Sequence, residues 1–411
     1  MSFEHLMATS HQGDARGDDV IQEALRAVRE HLGMEIAYFS EFVQGRSVFR
    51  RVDAPGLEHL IKVGDSRSLD DVYCTHIVEG RLPQLIPDTS KEPFAQAMPI
   101  TSAVPIGSHA SIPIRRPDGT PFGMFCCLSP RSNPTLNGRD LDTMRVFAGL
   151  ATKQLHVEID QGQAEHEKRT AIERIIDENA FEIVFQPIVD LVSQRLVALE
   201  ALCRFSAQPY RSPDKWFQDA ADVGLGLDLE LAAIRATVAF FADLPEGVGL
   251  SINASPDLVL SGRLKDGLDP TYLHRTTLEV TEHARVADYA AMHRELGPLR
   301  RGGMKVAIDD AGAGYSGLQH IVQIGPDVIK IDMSLTRGID QDRARRALAS
   351  AMVFYARETG SSVVAEGIER EEELLTLKAL GIARGQGYLL GKPAKLSTID
   401  LPGARDRRDA A

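Results

Sequence analysis

The stretch VAIDDAGAGY, Val306 to Tyr315, decides how the second half of the chain folds. Its apolar run Val306-Ala307-Ile308 reads as a buried strand, and that strand ends in adjacent carboxylates, Asp309 and Asp310, followed by Gly312 and Gly314. Two acids at the mouth of a strand repel each other unless positive charge stands there, whether a helix N-terminus, a basic side chain or hard cations. Only hard cations give both carboxylates work as ligands. One Asp bridging two ions, with its neighbour on the second, holds metals about 3.5–4 Å apart, the spacing of in-line attack on phosphate. A lone Asp pair fits a capped βα loop equally well, so the reading depends on what other strands bring to the same place.

Working outward, short apolar runs alternate with amphipathic stretches from Phe181 onward. They are Ile183–Leu191, Leu196–Phe205, Val248–Ala254, Thr276–Thr281, Lys305–Ile308, Val328–Met333, Ser362–Ala365 and Gly385–Leu390. Eight runs over about 215 residues predict a (β/α)8 TIM-like barrel, an α/β fold whose active site lies at the C-terminal strand ends. Nearly every run carries a polar residue: Glu200 in ALEAL, Asn253 in SINAS, Glu279 in LEVTE, Lys330 and Asp332 in IKID, Glu366 in AEGIE and Gln386 in RGQGY. A charged group in a barrel lumen must be paired or metal-bound. Five of these acids, Glu200, Glu279, Asp309, Asp310 and Glu366, and the amide of Asn253, converging on one rim with Lys330, have the composition of a hard-cation site that activates water.

Roles follow from the chemistry. Glu200, Asn253, Glu279 and Asp309 supply oxygens to one ion, while Asp309, Asp310 and Glu366 serve the second. Oxygen donors without converging His or Cys favour Mg²⁺ or Mn²⁺ over zinc. Lys330, set inward with Asp332 by the two-residue strand period, either orients the attacking water or pairs structurally with the excess carboxylates. Arg204 has the two-pronged geometry of a phosphate clamp.

The series FQPIVDL, EALCR, SINAS, LEVTE, DDAGAGYSGL, IKID, AEGIE and QGYLLGKP, from Phe181 to Pro393, closely resembles the EAL family of cyclic di-GMP phosphodiesterases. The resemblance implies a barrel that linearises cyclic di-GMP to pGpG with two Mg²⁺ or Mn²⁺ ions, usually as a homodimer. Position by position, it implies metal-site roles for Glu200, Asn253, Glu279, Asp309, Asp310 and Glu366, with Lys330 near the attacking water and Gln386 supporting the site. It further implies substrate contacts for Gln186, Arg204 and Pro393, and a role for Glu282 in steadying the loop after Asp310. Three departures stand out: Ala311 where the family often has Phe, Phe205 where Trp is common, and a loose fit over Trp216–Gly224. None removes a ligand, though Ala311 leaves the stiffness of its loop open. No cyclase segment of the GGDEF type is visible.

The first half reads differently. Ile21, Leu25, Val28 and Leu32 line one face of a helix that starts near Asp18 and ends at Gly33. Strand-like runs follow at Glu35–Val43 and Ser47–Val52, and His109–Ile114 and Pro121–Leu128 flank Pro117-Asp118-Gly119 as a hairpin. Asn137 caps a further helix with Leu141, Met144, Ala148, Ala151 and Leu155 in line. Helix, antiparallel strands, hairpin and closing helix resemble a GAF domain, the α+β sensory module, which implies an unidentified small-molecule or signal ligand. His109 is expected as a loop histidine at a strand rim, with haem or metal ligation the rarer use. The expected organisation is an arm over 1–17, the GAF domain over 18–156, a linker helix over 157–179, the EAL barrel over 180–400 and a tail over 401–411.

Composition limits the partners. A net charge of −12 disfavours a nucleic-acid polymer, although bound cations can invert the field locally for an anionic small ligand. No apolar run has bilayer length, and the N-terminus lacks a basic-then-apolar signal pattern, so a cytoplasmic protein is expected. The four cysteines, Cys74, Cys126, Cys127 and Cys203, lack metal-site spacing and read as buried thiols, with Cys126 and Cys127 facing opposite ways on one strand. Two other readings compete with an active phosphodiesterase: a catalytically idle EAL barrel acting as a cyclic di-GMP receptor, and a metal-dependent hydrolase of another phosphodiester.

Overall fold

The computed structural model describes residues 17–207, 210–281, 286, 288–311 and 317–402. The expectations placed on the N-terminal arm, Glu282, the loop 312–316 and the tail from 403 lie outside the described residues. The chain divides into two compact units, 1–164 and 165–411.

In the first unit, six strands form an antiparallel sheet: β1 (Ile36–Val43), β2 (Arg46–Asp53), β3 (Ser66–Ser68), β4 (Leu85–Ile86), β5 (Ser108–Arg115) and β6 (Pro121–Ser129), in the order β3-β2-β1-β6-β5-β4. The apolar run of β6 places it at the centre, buried on both faces. Met124, Cys126 and Leu128 enter one cluster, while Phe125 and Cys127 enter the other with Ile21, Leu25 and Val28 of the helix Gly17–Leu32. Cys126 and Cys127 thus point to opposite faces, as strand alternation requires. The helix that starts at Gly138 runs unbroken to Asp177.

His109 departs from expectation. It lies within β5, 1% exposed, with Ile86 as its cross-strand neighbour and the Tyr73 ring edge-on at 5.2 Å. The strand begins at Ser108, one residue before the run His109–Ile114, so the histidine sits inside the sheet with its ring buried rather than at a loop rim.

In the second unit, eight strands close a barrel: β7 (Phe181–Asp190), β8 (Leu196–Phe205), β9 (Gly249–Ala254), β10 (Thr276–Thr281), β11 (Lys305–Ala311), β12 (Val328–Ile331), β13 (Ser362–Ala365) and β14 (Arg384–Gly385). The closure runs β10-β11-β12-β13-β14-β7-β8-β9. Seven strands are mutually parallel, but β7 is antiparallel to both β8 and β14. The reason is local: only residues 191–195 join β7 to β8, too few for the crossover that a parallel pair needs.

The last strand is also shorter than the run Gly385–Leu390 suggests. At Gly387 the backbone presses on Ile368 so closely that a Cβ there would meet its nitrogen at 2.2 Å, and the chain leaves the sheet. Along each strand, residues alternate between the outer apolar shell and the lumen. In β12, Ile329 and Ile331 join the shell while Val328 sits in a small lumen cluster with Ile188, Ala307 and Val364. The alternation therefore sends Lys330 into the lumen.

Candidate active site

Glu200, Glu279, Asp309 and Glu366 stand on or immediately beyond β8, β10, β11 and β13, and the barrel brings them together around the Lys330 ammonium. Lys330 Nζ lies 2.7 Å from Glu279 Oε2, 2.8 Å from Glu366 Oε1, 3.0 Å from Asp309 Oδ1 and 3.4 Å from Glu200 Oε2. The register explains the convergence, since Glu279 pairs with Ala307 of β11 and with Asn253 of β9, while Glu200 pairs with Ser251. Gln386 spans the other side, its Nε2 donating to Glu200 Oε2 at 2.6 Å and to Glu366 Oε1 at 3.0 Å.

Lys330 is 1% exposed and Glu279 is fully buried. Burial pushes the Glu279 carboxyl well up, against the pull of Lys330, and Glu200 and Asp309 add to the rise. Burial likewise raises Glu366 to about 8. Burial alone drives Lys330 down, yet the carboxylates around it, Glu200 foremost, outweigh this and hold the ammonium firmly charged. One ammonium thus faces four carboxyl groups, two of which burial pushes toward the neutral form.

The donor set fits hard divalent cations. Oxygens of Glu200, Glu279 and Asp309 lie within 4.8 Å of one another, a spacing that one ion can bridge. Gln386 Oε1 is buried with no donor among the described residues, a free acceptor on the side chain that bridges Glu200 and Glu366.

The other expected residues sort themselves by distance from this centre. Asn253 is exposed at the rim, one strand from Glu279. Asp310 follows Asp309 on β11, and its side chain lies outside the described residues. Gln186 pairs in register with Glu200 and donates to Gly391 O at 3.2 Å. Arg204, four residues further along β8, donates to Cys203 O at 2.8 Å. Pro393 is half-buried in the segment that returns beside β7 through Ala394 and Phe185.

Asp332, expected inward with Lys330, instead caps the short helix Met333–Thr336, accepting from Ser334 N at 2.8 Å; β12 ends at Ile331 and the two-residue period ends with it. Phe205 packs on Trp216 at 5.7 Å and on Phe217 at 5.8 Å, both on the helix Pro213–Asp222.

Two site features were missed in the sequence. Ser251 donates to Glu279 Oε1 at 2.5 Å, and only its position two before Asn253 on the same strand face hinted at it. Glu230 accepts from Ser255 N at 2.9 Å in a cavity of about 320 Å³ shared with Arg204 and Asn253. It lies on the helix Gly226–Val238, and no motif marks it. The larger cavity of the unit, about 800 Å³, opens at the opposite, N-terminal end of the barrel among Gly249, Thr277, Lys305 and Arg384. Size alone therefore does not mark the rim, whereas the convergence of charge does.

Fold and site together define a TIM-like barrel whose C-terminal rim gathers a carboxyl cluster with donors suited to divalent cations. The sequence model of the EAL domain matches residues 168–393, more than half of the 411-residue chain, and the chain belongs to that family. The GAF domain model matches residues 16–155. A Pseudomonas aeruginosa protein named as a cyclic di-GMP phosphodiesterase is 30% identical over 287 residues, 64% of this chain and 49% of that protein. An Escherichia coli protein named as a probable cyclic di-GMP phosphodiesterase is 30% identical over 240 residues, 54% of this chain and 30% of that one. The chain thus spans less than half the length of each of these relatives. The crystal structure of an EAL domain protein from Listeria monocytogenes superposes with a TM-score of 0.51 at 24% identity, covering 59% of this chain and 98% of that one, a likeness that bears on the fold. Among the described residues, no helix is long and apolar enough to cross a membrane.

Proposed function

We propose that the protein hydrolyses cyclic di-GMP to linear pGpG with two Mg²⁺ or Mn²⁺ ions at the barrel rim. The observation that carries this reading is the meeting of four strand-borne carboxylates at Lys330 in a barrel of the EAL family. The names of the two phosphodiesterase relatives support the substrate. Bound there, such ions supply Lewis-acid polarisation of the phosphoryl oxygen and make water acidic enough to attack near neutral pH.

The chain's own residues do the rest. Glu200, Asn253, Glu279, Asp309, Asp310 and Glu366 would hold the ions, the first four suited to one and the last two, with Asp309, to the second. Lys330 donates to the attacking water and fixes its approach. Gln386 keeps Glu200 and Glu366 turned inward through its two hydrogen bonds. Arg204, with its forked donors, grips a phosphate, while Gln186 and Pro393 line the substrate's side. Glu282 steadies the loop that follows Asp310.

The regulatory half of the reading assigns residues 18–156 to a GAF sensor, 157–179 to a linker helix and 180–400 to the barrel, in a cytoplasmic homodimer as the family resemblance implies. The apolar cavity bounded by Tyr73, His109 and Arg67 in the first unit measures about 40 Å³, room for a water-sized molecule, so a GAF ligand requires this pocket to open. Coupling through the helix is supported where Lys168 pairs with Asp219 at 3.1 Å and Asp222 at 2.9 Å. Ile172 and Ile175 of the same helix pack with Phe205, the residue after Arg204.

Incubation of the full chain with cyclic di-GMP and MgCl₂ or MnCl₂, followed by chromatography, tests the activity. Accumulation of pGpG is expected. Binding without turnover would instead favour the idle receptor, and cleavage of other diesters with cyclic di-GMP intact would favour the third reading. If a fragment beginning near Ala171 turned over at the full-chain rate with every ligand tried, the coupling would be absent.

A further inference from the structure

Ser251 lies on β9 two residues before Asn253, so it shares the lumen face but sits one layer deeper, 2% exposed. Its hydroxyl donates to Glu279 Oε1 at 2.5 Å, while Lys330 donates to Glu279 Oε2 at 2.7 Å. The two carboxylate oxygens are thereby assigned different partners, one below and one toward the centre.

The space beneath makes this arrangement consequential. The cavity of about 800 Å³ at the N-terminal end of the barrel reaches up to Ser251, Glu279 and Lys330. Gly249, the next inward position on β9, brings no side chain, and Thr277 precedes Glu279 on its own strand. A carboxyl group above open, partly polar space has room to turn down and be hydrated there unless something holds it. Among the described residues, Ser251 is the hydrogen-bond donor that ties the deeper oxygen.

We propose that Ser251 is a positioning residue that holds Glu279 facing the rim, so that its coordinating oxygen is in place before a divalent cation arrives. The proposal rests on the metal-site reading above and extends it to a side chain that touches neither cation nor substrate. Partners of metal-holding side chains typically change affinity by about 10–100-fold when removed.

The test uses the full chain, stripped of metal, and its Ser251→Ala and Ser251→Thr variants, titrated with MnCl₂ by calorimetry. Ser251→Ala is expected to bind Mn²⁺ about 10–100-fold more weakly. Ser251→Thr, which keeps the hydroxyl, is expected to recover to within a few-fold of the parent. With cyclic di-GMP, the Mn²⁺ concentration for half-maximal rate should rise in Ser251→Ala by more than the maximal rate falls. Parent-like Mn²⁺ affinity in Ser251→Ala would overturn the proposal. So would equal weakening in both variants with a lowered melting temperature in chelator, which is the mark of a packing role. If the parent binds Mn²⁺ but leaves cyclic di-GMP intact, the phosphodiesterase reading fails while the affinity ratio still decides the case of Ser251. A parent that binds no Mn²⁺ removes both.

Discussion

Two buried basic residues, His109 in the first unit and Lys330 in the second, respond to burial in opposite ways. His109 stands in an apolar cavity with Nδ1 unpartnered among the described residues, and burial lowers its pKa to about 4, so it is neutral at pH 7. Lys330 is as deeply buried, yet the carboxylates around it keep it charged. A lone group in a dry place gives up its charge, whereas a cluster of opposite charges keeps it and remains ready to exchange one cation for others.

The largest effect that tests this contrast is the loss of a carboxylate. Glu200→Ala or Asp309→Ala should lower cyclic di-GMP turnover by about 10³-fold or more, since each removes several kcal/mol of transition-state stabilisation carried through a cation. Parent-like steady-state rates in either variant would contradict the rim assignment. Next comes Lys330→Met, which leaves four carboxylates facing one another. The metal-free barrel should lose about 3–5 kcal/mol in denaturant titration, and MnCl₂ should restore much of it, because cations replace the missing ammonium. If Mn²⁺ gave no recovery, the ammonium and the cations would not share one place.

His109 provides the converse case. Its folded pKa of about 4 lies below the unfolded value of about 6.5, so between them the folded state holds fewer protons. Its contribution is complete above about pH 6.5 and is lost as pH falls toward 4, by at most about 3 kcal/mol at about 1.4 kcal/mol per unit. Hydrogen exchange of the β5 and β6 amides in the full chain should show this loss, and His109→Leu should flatten it. A slope unchanged by the substitution would assign the acid sensitivity elsewhere. The smallest effect is expected at the rim's edge, where Arg204→Lys should raise KM for cyclic di-GMP by about tenfold with little change in kcat, because a point charge replaces a fork. An unchanged KM would place the phosphate away from Arg204.

Much of the site was legible because strand periodicity is written into the sequence. Acids at the same phase of separate apolar runs must enter the same lumen, and Glu200, Glu279, Asp309 and Glu366 do so. The same rule failed at Asp332, since a period holds only as far as the strand does, and β12 stops one residue earlier. It also missed the direction of β7, which is set by the shortness of the connection to β8 rather than by any residue within either strand.

What the sequence determined by itself was the alternation of inward and outward residues, the number of barrel strands and the identity of the donors, because these depend on neighbours along the chain. Tertiary structure alone decided that Lys330 faces four carboxyl groups at once, that Ser251 hydrogen-bonds Glu279, and that the His109 ring is buried against Tyr73 in the first unit. Those are distances between strands far apart in the chain, and only closure of a sheet fixes them.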